Sequence, residues 1–251
     1  MPWLKDISYD RQATIAVFRD YYHFLAALYL HQSEAVEPPQ DGWPAITAEN
    51  MQVSRGRRAS SLPPELCNGI VAGHWDGEDV KHATQSEGLD FSEDIPSHVV
   101  GLTVGGVERP YIFLDVEAGI VHWYECWDKI RETSSQEMVQ DDMLDWAPDN
   151  ETWRYASAAW AILDFFEMLK DQYRQLNFVP FTPWTVRDVW LRAPPGVGEM
   201  LDVLPGIYRE HGWPDIDRYR KEECLRAVRA TLLDRAPLYA DWIDIGREAL
   251  E

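Results

Sequence analysis

Between Ala13 and Leu30 apolar residues return every three or four positions. Ile15, Phe18, Tyr22, Leu25 and Tyr29 therefore share one face, and the spacing predicts a helix. "EPPQDGWP" (37–44) stops that helix and turns the chain, and Thr47 can cap a short helix after it. The strongest helical stripe runs from Ala156 to Leu176 through Ala158, Ile162, Phe165, Phe166, Leu169, Tyr173 and Leu176. Further helices are predicted over Met200–His211, Asp215–Leu233 and Tyr239–Leu250, with one helical turn at Val186–Leu191.

The pattern changes between Ile70 and Trp127. "GIVAGHWDGEDV" and "HVVGLTVGG" are short β-branched stretches bounded by glycine. Tyr111–Val116 and Ile120–Tyr124 read as two strands joined by a tight turn at Glu117-Ala118-Gly119, where Gly119 supplies a positive φ. The predicted fold is α+β: a mainly antiparallel sheet around the hairpin 111–124, packed by helices, with a helical C-terminal extension. One domain over 1–251 is expected, with a helical part at 1–52, the sheet and its helix at 65–178, and the extension at 179–251. "DGWPAI" (41–46) and "HGWPDI" (211–216) share a glycine–tryptophan–proline corner between helices.

Charge narrows the functional classes. The formal net charge is −20. Nucleic acid needs a basic footprint, and an anionic membrane attracts basic segments, so neither partner is expected. A protein partner fits, and a basic one is compatible with the charge. Three cysteines, Cys67, Cys126 and Cys224, are too few and too scattered for a disulfide framework. The first residues lack the apolar stretch of a signal peptide, and no run is long enough to span a membrane, so a cytoplasmic or nuclear place is expected.

Candidate chemistry gathers at two strand ends. His74, Trp75 and Asp76 sit in "GHWDG"; His122 and Glu125 sit at the end of the hairpin. If those ends meet, His74, Asp76, His122 and Glu125 form a histidine–carboxylate cluster able to move protons. The spacing matches no metal-ligand pattern, and neither metal nor cofactor is expected. By strand alternation Ile120, His122 and Tyr124 share one face and Val121 and Trp123 the other. The 156–176 helix is expected to cover the His122 face and make His122 a core residue. Cys126 lies in acidic surroundings that raise a thiol pKa, which disfavours a nucleophile.

Twelve tryptophans are many for this length. Trp75, Trp123, Trp146, Trp153 and Trp184 are candidates for a partner or ligand surface, since tryptophan is enriched in such places. Arg57-Arg58-Ala59-Ser60 is the densest basic cluster with an acceptor hydroxyl, which makes Ser60 a candidate phosphorylation site.

The order "HVVGLTV", "YIFLDVEAGIVHWY", an acidic excursion and "AAWAILDFFEMLKDQY" resembles the SUKH superfamily of toxin-immunity proteins and fungal cell-wall-synthesis regulators. "GWPAIT", "FLDVEAGIVHW", "DFFEMLKDQYRQLNFVP", "VRDVW", "IYREHGWP" and "RYRKEECL" are similar to an uncharacterised family of fungal cytosolic proteins. The resemblance implies an α+β domain with a mainly antiparallel sheet, used for protein binding and bringing no catalytic residues with it. The expected function is thus an acidic interaction or regulatory module without catalysis. The alternative is a small-molecule binder or enzyme, of the accessory kind found in fungal secondary metabolism, with a Trp/Tyr-lined pocket and the His/Asp groups above.

Overall fold

The computed structural model describes residues 1–35, 98–103, 111–140, 153–183, 185–190 and 196–240. The fold is α+β, with a four-stranded antiparallel sheet, a separate two-stranded one, and helices that include the C-terminal ones. The chain divides into two compact units. Unit 1 holds Met1–Arg19 and Val36–Met168; unit 2 holds Asp20–Ala35 and Leu169–Glu251. Of the three points where the units meet, 19/20 falls inside α1 (Arg11–Leu28) and 168/169 inside α3 (Ile162–Gln175), while 35/36 lies outside both. Among the described residues no helix is long and apolar enough to cross a membrane.

Unit 1 is built on the sheet β1 (Val99–Gly101), β2 (Tyr111–Asp115), β3 (Ile120–Tyr124) and β4 (Ser157–Ala161), ordered as in the sequence. The β2–β3 hairpin is the predicted one, with Phe113 opposite His122 and Asp115 opposite Ile120. Its turn is fixed twice. Asp115 Oδ1 accepts the amides of Glu117 and Ala118 at 2.9 and 2.7 Å, and Gly119 takes φ +74°. A Cβ at Gly119 would lie 2.7 Å from the backbone of Ser8, so the position needs glycine twice over.

β4 corrects the sequence reading. The predicted helix starts at Ala156 with Ala158 on its stripe, yet Ser157–Ala161 is a strand that pairs with β3, His122 opposite Ala159. The small side chains leave room for the large ones of β3, and α3 begins only at Ile162. The start of the acidic excursion (131–153) carries structure. Asp128–Thr133 forms α2, and Val139 donates to Ala159 O at 2.7 Å along the outer edge of β4.

Unit 2 gathers the ends of α1 and α3 with the hairpin of β5 (Phe178–Thr182) and β6 (Thr185–Asp188) and the helices α4 (Val197–Glu210), α5 (Lys221–Arg235) and α6 (Pro237–Ala240). The helical turn expected at Val186–Leu191 is replaced by β6, because Phe178 and Val179 find partners in Asp188 and Arg187. The α5 helix starts six residues later than expected, since 211–220 is a corner plugged by Trp213. That ring is 3 % exposed and donates from Nε1 to Tyr173 O. Of the final helix expected over Tyr239–Leu250, only Tyr239 and Ala240 lie within the described residues, in α6.

Candidate functional site

Strand alternation sorts the sheet of unit 1 into two faces. Ile112, Leu114, Val121, Trp123, Ala158 and Trp160 point one way. Phe165 of α3 packs there, 6.3 Å from the Trp123 ring and 6.0 Å from that of Trp160. The other face carries Val99, Tyr111, Phe113, Asp115, Ile120, His122 and Tyr124. The expected cover is therefore on the wrong side: α3 lies over Trp123, not over His122.

His122 is interior all the same, at 1 % exposure. Its cover is Trp153, just ahead of β4. The two rings meet edge to face with centroids 5.1 Å apart, and Phe113 meets Trp153 at 5.4 Å. Among the described residues neither ring nitrogen of His122 has a hydrogen-bond partner. Burial, then the positive charges of Arg154 and His98, pull its pKa from 6.5 down to about 3. At neutral pH the ring is uncharged and tightly enclosed.

A second histidine, absent from the sequence-based candidates, borders this face. His98 precedes β1 and is a quarter exposed. Its Nε2 lies 3.8 Å from Asp115 Oδ2 and its Nδ1 3.7 Å from Glu117 Oε2. The two ring nitrogens look toward different carboxylates, so the three groups do not converge on one point as metal ligands must. Asp115 sits at 2 % exposure with Oδ1 committed to the turn. The usable signal was "DVEAG": an aspartate ending a strand before a turn glycine caps that turn, which fixes its side chain on the strand face it shares with His122.

Of the predicted cluster, His122 and Glu125 lie within the described residues. Glu125 stands past the end of β3 at φ +49°, exposed, its amide donating to Ala156 O at 2.9 Å. Glu125 and His122 thus do not come together. His74, Trp75, Asp76, Trp146, Trp184 and Ser60 lie outside the described residues. Trp123 and Trp153 are each 2 % exposed and sit in the interior of unit 1, so the partner surface expected at them is not on view. Cys126 is buried, and that burial pushes its thiol up to about 12, leaving almost no thiolate at neutral pH.

No model of a known family, no curated protein and no solved structure matches this chain.

Proposed function

We propose that the chain is an acidic protein-interaction or regulatory module of SUKH-like type, working without catalysis in the cytoplasm, and that its first unit meets a basic protein partner. The distribution of charge carries this reading. Unit 1 holds 27 aspartates and glutamates against 11 lysines and arginines, a net of −16; unit 2 holds 16 against 12, a net of −4. A field concentrated on one unit speeds and orients encounter with a basic surface, and repels nucleic acid and anionic lipid.

The state of the buried groups supports the same reading. A general base works best with a pKa near the working pH. His122 is held far below it and Cys126 far above it. A second reading, a small-molecule binder, draws on one observation: a buried imidazole with both nitrogens unmet, among Phe113 and Trp153.

The test is capture of partners at near-physiological salt, followed by reconstitution with the purified partner. The module reading expects a defined complex. Its affinity falls with salt as the Debye length shrinks from about 10 Å at 0.1 M to about 3 Å at 1 M. Neutralising Glu117 and Glu125 slows association more than neutralising Asp202 and Glu210 of unit 2. A complex indifferent to salt, or no reproducible partner, contradicts the reading.

A further inference from the structure

His122 has a consequence independent of any partner. A neutral imidazole offers one donor and one acceptor, and burying either unmet is costly. Its nitrogens are out of reach of solvent, and the rings of Phe113 and Trp153 close over it. Among the described residues the charged and titratable groups around it offer no relief. Arg154, ahead of β4, is 4 % exposed and positive. His98, ahead of β1, adds positive charge when protonated. Asp115 of β2 is the buried carboxylate on this face, but Oδ1 holds the hairpin turn and Oδ2 is turned toward His98. Glu117 lies beyond His98, largely exposed. From β4 its cross-strand neighbour is Ala159.

A proton on His122 would therefore be buried, unpaired and repelled. Among the described residues the ring is bordered by β2 and β4 on either side of β3 and by Trp153. Parting β2 or β4 from β3 breaks five-residue ladders on either side. Displacing Trp153, which lies outside the four strands, breaks none of them. We propose that His122 makes unit 1 an acid-opened device: proton uptake by its ring drives Trp153 off the sheet face and exposes the aromatic cluster of Tyr111, Phe113 and Tyr124 while the hairpin stays paired.

Hydrogen exchange of the full chain tests this, with rates corrected for the intrinsic pH effect. Between pH 7 and pH 5 the equilibrium for opening this face rises about 25-fold, from the ordinary histidine value and the depressed one. The expected result is increased exchange at Trp153–Ser157, with Tyr111–Tyr124 ladder amides and unit 2 peptides still protected at pH 5. His122→Phe, which keeps an aromatic edge on Trp153 but takes no proton, removes the pH dependence; His122→Gln does the same and serves if the phenylalanine variant does not fold. Unchanged exchange in the parent, the same pH dependence in the variants, or equal loss of protection in both units would each overturn the proposal.

Discussion

The imidazole of His122 stands edge-on to the indole of Trp153, centroids 5.1 Å apart, on the sheet face opposite α3. This pairing makes the most reactive-looking residue of the hairpin an interior one. It also means that the histidine contributes to stability only while uncharged.

Removing the imidazole should do no harm at pH 7. His122→Phe keeps the ring contact and leaves no donor or acceptor unmet, so the variant is expected to equal the parent or exceed it by up to about 2 kcal/mol in urea unfolding. A loss of more than about 2 kcal/mol would reveal a hydrogen bond that His122 makes.

The pH dependence of the parent has a definite sign. The folded pKa lies below the unfolded one, so the contribution of His122 is complete above pH 6.5 and declines as pH falls toward 3. The slope is about 1.4 kcal/mol per pH unit, and about 2 kcal/mol is gone by pH 5. Urea titrations at pH 7 and pH 5 on parent and His122→Phe isolate the term. Identical shifts in both would contradict it.

Gly119→Ala should be costly for a turn residue. It combines a positive φ with a Cβ 2.7 Å from Ser8 backbone and 2.8 Å from Tyr9 N. A left-handed alanine alone costs about 1–2 kcal/mol, and the contact adds to it. Thermal and urea unfolding are expected to show a loss above about 2 kcal/mol. A loss below about 1 kcal/mol would mean that the Ser8–Tyr9 segment yields freely.

The hairpin was legible because its signals agree: two β-branched and aromatic runs flank a tight turn whose glycine takes the positive φ. The strand β4 was hidden, since Ser157–Ala161 is rich in alanine and its strand character comes only from pairing with β3. Local propensity cannot report a partner more than 30 residues away in sequence. The side on which α3 packs was hidden for the same reason: alternation separates the faces of β3 but does not say which one a helix will cover. β6 was masked by the prolines around it. Of the site candidates, His74 and Asp76 lie outside the described residues. His122 and Glu125 alternate to opposite sides of a strand that ends between them, whereas His98 gains its neighbours only through β1–β2 pairing.

In unit 2, Lys221 Nζ donates to the carbonyls of Ala26 and Leu30, both at 2.6 Å, and Tyr219 donates to Leu28 O at 2.9 Å. These three carbonyls lie at the C-terminal end of α1, where backbone acceptors lack helical partners. Lys221→Met is expected to cost about 1–3 kcal/mol, because it leaves two acceptors unmet while keeping the apolar stem. Tyr219→Phe should cost about 1 kcal/mol. Circular dichroism followed through urea unfolding reads both. Lys221→Met matching the parent would show that water replaces the ammonium at no cost.

The cysteines should be slow. Burial pushes the thiols of Cys126 and Cys224 up to about 12 and about 11. Alkylation of the native chain at pH 7.5 is expected to spare both and to reach them only on unfolding, as mass spectrometry of labelled peptides would show. Labelling of Cys126 in the native chain at the rate of a free thiol would reopen nucleophilic chemistry at the hairpin.

The most direct measurement on the account as a whole is the titration of the His122 ring by NMR in the native chain. A closed, non-catalytic sheet face requires the imidazole to remain neutral and unshifted from pH 8 to pH 6, well above its depressed pKa of about 3. A ring that titrates with an ordinary midpoint near 6.5 in the folded protein would contradict it, and would place a working acid–base group where the structure shows a buried one.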